Sequence, residues 1–249
     1  MTALHLADEG EAADLAAFLA RLIHYDRAAA VRLQASGTTL AVFGRPPSFE
    51  VLAIRTARLD KPYENGLDLS LDVTVSAGEL LESLDESAAT AAVPAAVTGP
   101  PWAGVLPPRG GWRSEPGLPG PDAVRTMVAG AVAEFRLRID ELTPEGRTRS
   151  ALDRIGREIW SRPVGDTELP VRAAHAAQSL GFLRPARPAA NTGPAANTGT
   201  AATSATNTAG PDGAVLRLLS AGAWLRLRTP YGSIAVRRAG LGALDVSVR

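Results

Sequence analysis

The sequence predicts an α+β fold made of two copies of one unit, a helix followed by a four-stranded antiparallel meander, bridged by a helical middle segment. Three observations predict it. The hydrophobic period changes from 3.6 to 2 after about residue 25. A second period-2 region begins near residue 214. The two regions overlay at a fixed offset, as an internal repeat does.

The first helix is set by Leu15, Phe18, Leu19 and Leu22, which form one apolar stripe. Asp8 suits its N-cap, with Glu11 placed for a capping box. Strand patterns follow over 31–35 and 40–43, joined by Ser36-Gly37-Thr38. A third runs over 49–56, after Pro46-Pro47. Alternation over 67–75 gives the fourth, and Ser76 caps a short helix with Glu79 three residues on.

Residues 94–121 are dense in proline and glycine, which excludes regular structure. The segment nevertheless carries Trp102 and Trp112, two of the four tryptophans. Unfolded linkers are poor in such residues, so partial anchoring to the fold is expected.

Three helices are expected within 122–184. Val124, Val128, Ala131, Phe135 and Ile139 line the first. Thr143, followed by Pro144, is the expected cap of the second. Thr167 is the expected cap of the third. Residues 185–212 contain Ala-Asn-Thr-Gly twice and no core-forming side chains, the composition of a disordered linker. Strands are expected near 214–219, 223–228, 232–237 and 243–248.

The divisions are thus 1–93, 94–121, 122–184, 185–212 and 213–249, with the last packing on the preceding helix and 1–93. At an offset of 185, Arg32 falls on Arg217, Gly37 on Gly222, Leu40 on Leu225, Ser48 on Ser233 and Val51 on Val236. At 173, Leu71–Val75 falls on Leu244–Val248.

Composition bounds the function. No cysteine is present, which excludes disulfides, thiolate metal sites and a cysteine nucleophile. His5, His24 and His175 have no metal-ligand spacing, so no metal and no cofactor are expected. No run approaches the ~20 apolar residues of a membrane span, and the N-terminus lacks the pattern of a signal peptide. A cytoplasmic location without membrane contact is the expectation. Lys61 is the only lysine, which points to the coding bias of a high-GC bacterium and weakens any argument from arginine count. Residues 1–100 carry 7 basic and 14 acidic side chains, and 101–249 carry 19 and 12. Such asymmetry fits either a basic binding half or two halves that dock.

Two candidate sites stand out. On the strand 223–228, Trp224, Arg226 and Arg228 share one side, opposite Leu225 and Leu227. Arg217 and Arg237 are placed to join them from neighbouring strands. Arginines beside a tryptophan suit an anionic or stacked ligand; a solvated face, or one paired with Asp68 and Asp72, is the competing reading. The second candidate is the loop with Trp102, Arg109 and Trp112, read either as a binding element or as an anchored connection. The helix pair 143–161 and 167–181 has the outline of a winged helix-turn-helix, but its second helix offers mainly alanines where base-reading side chains are needed. Gly232-Ser233 sits in a hairpin turn rather than a nucleophile elbow, and Gly110-Gly111 lacks the strand and helix of a phosphate loop. The first expectation is a non-enzymatic protein-binding or scaffolding factor. A polyanion or nucleic-acid binder using the Arg/Trp face is second, and an enzyme or small-molecule sensor with a pocket between the units is third.

Overall fold

The computed structural model describes residues 3–66, 68–185 and 216–238. The fold is α+β, built around one continuous eight-stranded antiparallel sheet. A short strand β1 (Ala3–His5) leads into helix α1 (Glu9–Tyr25). Asp8 accepts from the Glu11 amide at 2.8 Å, as a cap should. The expected capping box does not close, because the Glu11 carboxylate binds arginines of the sheet instead.

Strands β2 (Ala30–Ser36), β3 (Thr39–Gly44) and β4 (Leu52–Arg58) form a meander. The expected third strand starts late, because Pro47–Phe49 forms a 3-10 turn after two prolines. Strand β5 (Ser70–Ser76) pairs with β2 on its far side. Leu69, expected within this half-buried strand, is exposed. Ser76 caps helix α2 (Ala77–Glu82), accepting from the Glu79 amide. Two short strands, β6 (Leu84–Asp85) and β7 (Thr90–Ala92), join β1 in a small second sheet.

Strand β8 (Arg113–Glu115) lies within 94–121, where no regular structure was expected; it falls in the proline-free stretch after Pro108. Helices α3 (Pro121–Asp140), α4 (Arg149–Trp160) and α5 (Val171–Ser179) follow. Two expected caps are corrected here. Thr143 closes a turn through Gly146, a poor helix former, and α4 starts at the Thr148 cap instead. The Thr167 hydroxyl bridges Val164 O and Leu169 N, and Pro170 biases the residue before it away from helix, so α5 starts after Pro170.

Strands β9 (Arg217–Ala221), β10 (Trp224–Thr229) and β11 (Gly232–Arg237) form a second meander. The sheet order is β5-β2-β3-β4-β11-β10-β9-β8, so the two meanders join through β4 and β11. The β2–β3 and β9–β10 hairpins both turn on two residues, with Gly37 at φ 55° and Gly222 at φ 54°. The expected overlay of the third strands is out of register. By ladder position, Ser233 corresponds to Ile54 rather than Ser48, and Val236 to Ala57 rather than Val51. The longer β3–β4 connection, with its 3-10 turn, causes the slip. The linker 185–212, except its first residue, and the strand 243–248 lie outside the described residues. The expected four-stranded meander of the first unit is corrected too: its fourth strand, β5, pairs with β2 rather than with β4, and β9 takes β8 as its outer neighbour.

Alternation divides the sheet into two faces. Leu33, Leu40, Val42, Leu225, Leu227 and Ile234 lie on one, packed with α1, α5 and the start of α3 in the main core. Phe18 of α1 stacks on Phe182 beyond α5, with ring centroids 5.6 Å apart. On the opposite face a smaller apolar patch, Phe43, Leu52, Ile54 and Ala235, is covered by Trp102 and Leu106. The proline-rich segment is therefore a strap. It is pinned at one sheet edge by Val97 N to Thr74 O, 2.9 Å, and ends in β8 at the other.

Candidate functional site

The strapped face is read most easily along the ladder. One row runs Thr74, Arg32, Phe43, Ile54, Ser233, Arg228, Arg217 across seven strands. The next carries Leu52, Ala235, Arg226 and Leu219. Polar and charged side chains therefore lie towards the sheet edges, with apolar ones at the seam between the meanders. The strap covers that apolar middle.

Both strap tryptophans anchor it. Trp102 packs on the seam. The Trp112 indole N–H donates to Pro108 O at 3.0 Å, and its ring lies 5.6 Å from the Arg226 guanidinium. Arg32 donates to the strap carbonyl of Ala103 and grips Asp72 with two bonds of 2.7 and 2.9 Å. The Arg32 guanidinium holds the Asp72 carboxyl below its ordinary range, and burial opposes this in part. Of the competing reading, a solvated face or one paired with Asp68 and Asp72, the pairing is not formed among the described residues: Asp72 is taken by Arg32 of its own meander, and Arg226 and Arg228 make no ion pair with either acid.

Two concavities flank the strap. The first is a cleft of about 250 Å³ at the β4–β11 seam. Leu52 and Ala235 lie along it, Trp102 and Trp224 provide aromatic wall, and Arg45, Arg172 and Arg237 line it with Glu50. The Arg237 guanidinium stacks 5.2 Å from the Trp224 ring. The Arg172 Nε is buried with no hydrogen-bond partner. Glu50 stands in the left-handed region at φ 51°, a strained place for a side chain with a Cβ. The second concavity, about 190 Å³, lies under Leu106 to Arg109 and reaches Arg226.

The site residues expected from the sequence thus divide. Trp102, Trp224 and Arg237 meet at the cleft, and Arg109, Trp112 and Arg226 meet around the second cavity. Arg228 shares their face but lines neither. Arg45 and Arg172 were not legible as site residues. Arg172 comes from α5, 65 positions before Arg237, and only the fold brings them together.

A further concavity, about 370 Å³ beside β1 and Lys61–Glu64, gathers no set of like-charged groups. Among the described residues no group of three or more His, Asp or Glu side chains is placed to hold a metal, and no helix is long and apolar enough to cross a membrane.

Two family models match the chain, each a domain of unknown function: DUF8010 over residues 1–104 and DUF8185 over 107–241. The second spans more than half of the sequence, and the chain belongs to the DUF8185 family. The two matches meet within the strap, with Trp102 in one and Trp112 in the other. Neither the curated proteins nor the solved structures provide a match.

Proposed function

We propose that this member of the DUF8185 family is a non-enzymatic protein-binding factor that takes an acidic segment of a partner protein in the Trp102–Trp224 cleft. The observation that carries this reading is that three arginines and two tryptophans line one cleft over the apolar seam. Arginine and tryptophan are the side chains that dominate binding energy at protein interfaces. Their cleft, about 250 Å³, is below the ~300–1,000 Å³ range of small-molecule pockets and suits one or two inserted side chains. An acidic side chain would meet Arg172 and Arg237, and an apolar neighbour would lie on the seam. For catalysis the lining offers one carboxylate, Glu50, and neither histidine nor hydroxyl.

A nucleic-acid platform is less well supported. Base stacking needs free ring faces, and Trp224 and Trp112 each already have a guanidinium nearby. The strap also interrupts the face along which a strand would run.

We infer as well that the sheet is two copies of one unit about an approximate twofold axis through Ile54 and Ser233. Three features support it: the mirrored strand order, the paired glycine turns, and the fact that these two ladder-equivalent residues pair with each other. A profile of β2–β4 from relatives should align on β9–β11 in the ladder register; alignment in no consistent register would contradict it.

The binding reading is tested by selection from a displayed peptide library. Enriched peptides should carry Asp or Glu beside an apolar residue. Their affinity should fall by roughly tenfold or more in Arg172→Ala with Arg237→Ala, the size of a lost charged hydrogen bond. Selection without acidic bias, or binding indifferent to both substitutions, would overturn it.

A further inference from the structure

The second cavity carries an inference of its own. Arg226 projects from β10 on the strapped face, and its Nε is buried with no hydrogen-bond partner. Its facing neighbours are Ala235 and Leu219, which offer it no charge. Burial, with the nearby Arg228 adding repulsion, pushes its pKa down to about 10, so it stays charged at neutral pH. A partly buried guanidinium with no acid beside it among the described residues carries an electrostatic deficit that an anion would relieve. Asp72, on the same face in β5, is already occupied by Arg32 at 2.7 Å and Gln34 at 3.1 Å, and Arg109 stands close enough to help hold its carboxyl below the ordinary range.

The walls of the cavity say what kind of anion fits. Its polar edge carries Arg109, Thr39 and Thr56 beside Arg226. Its floor is apolar, with Phe43 and Ile54 below and Leu106 of the strap beside them. At about 190 Å³ the space is small for a drug-sized ligand, whose pockets start near ~300 Å³. A bare inorganic anion would leave the apolar floor without contacts.

We propose that this cavity binds a small organic carboxylate, its charge held by Arg226 and Arg109 and its short apolar tail lying on Phe43, Ile54 and Leu106. The ligand lies beneath the strap, on the other side of it from the protein-binding cleft. The two sites therefore share a lid but no lining residue. This assignment stands whether or not the cleft takes a protein.

The test is calorimetric titration of the full chain with sodium butyrate. Sodium acetate, sodium phosphate and sodium chloride at matched ionic strength are the comparison arms. Butyrate should bind, acetate should bind more weakly for want of a tail, and phosphate should do no more than chloride. Arg226→Leu should weaken butyrate by roughly tenfold or more, as loss of a charged hydrogen bond does. Arg109 is exposed on the strap, so Arg109→Ala keeps the fold and should weaken it in the same direction. Butyrate no better than chloride, or unchanged in Arg109→Ala and Arg226→Leu, would overturn the proposal. Phosphate tighter than butyrate would overturn the tail and leave a bare oxyanion site. Loss of butyrate binding in Arg172→Ala with Arg237→Ala alone would move the ligand to the cleft and overturn the assignment.

Discussion

Arg55 and Arg226 sit on opposite faces of the same sheet and show two ways of burying a guanidinium. Arg55, 6% exposed, points under α1. It donates to Glu11 at 2.8 Å and to Tyr231 O at 3.1 Å, with Asp14 at 3.5 Å. Asp14 also meets Arg184 at 2.5 Å, and Arg184 lies 3.6 Å from the Tyr231 ring centroid. This network ties α1, β4, the β10–β11 turn and the end of the helical segment into one body. Arg226 has an indole beside it and, among the described residues, no acid. The Nε of both arginines is buried without a hydrogen-bond partner, but Arg55 has its charge matched by acids within the fold and Arg226 does not. The difference teaches that arginine count carried no information here, whereas the partner list of each arginine does.

The comparison can be broken at several points. The largest effect is expected for Arg55→Ala. It removes the buried partner of Glu11 and Asp14, which keep Arg58 and Arg184, and should destabilise the protein by about 3 kcal/mol, the low end for a broken buried pair, read from urea denaturation. A loss below ~1 kcal/mol would mean that the network is dispensable. Trp102→Ala uncovers the apolar seam and should cost about 2–3 kcal/mol, less than a fully buried tryptophan because this one is half-buried. It should also raise amide exchange along the strap; unchanged exchange would detach Trp102 from the anchoring role.

A smaller effect is expected from pH. His175 stacks on Trp160 at 4.8 Å and meets Phe49 edge-on at 5.1 Å, and burial lowers its pKa below the ordinary 6.5. Its folded pKa therefore lies below its unfolded one. The stability from this site is fully present above about pH 6.5. It is lost as pH falls from there through the folded value, because the unfolded chain takes up the proton first. His175→Phe should flatten that part of the stability profile, and an unchanged slope would contradict the assignment. The smallest effect is expected for Arg32→Ala, whose pair with Asp72 is partly exposed at 26% and 40%. It should remove about 1 kcal/mol or less, with loss of the strap bond to Ala103 included.

The local fold was legible where side chains alternate or repeat. The stripe Leu15, Phe18, Leu19 and Leu22 gave α1, and the split of Trp224, Arg226 and Arg228 from Leu225 and Leu227 gave the two faces of β10. What alternation could not supply was register. Any period-2 strand slides by two residues without changing its pattern, so Val51 was set on Val236 where the ladder sets Ala57. Helix starts failed at Thr143 and Thr167 because a hydroxyl serves a turn as readily as a cap. The strap was legible as an anchored segment from Trp102 and Trp112. Its path was not, because it depends on the sheet being continuous from β5 to β8. For the same reason Arg45 and Arg172 left no mark in the sequence beside Trp224.

The most direct test of the view that the strapped-face arginines serve binding rather than folding is urea denaturation of Arg172→Leu with Arg226→Leu against the native chain. Removing two guanidinium groups that, unlike that of Arg55, make no ion pair among the described residues should leave stability unchanged or raise it by about 1 kcal/mol. A loss of about 3 kcal/mol or more, of the kind expected for Arg55→Ala, would show that these arginines hold the fold together and would contradict the account.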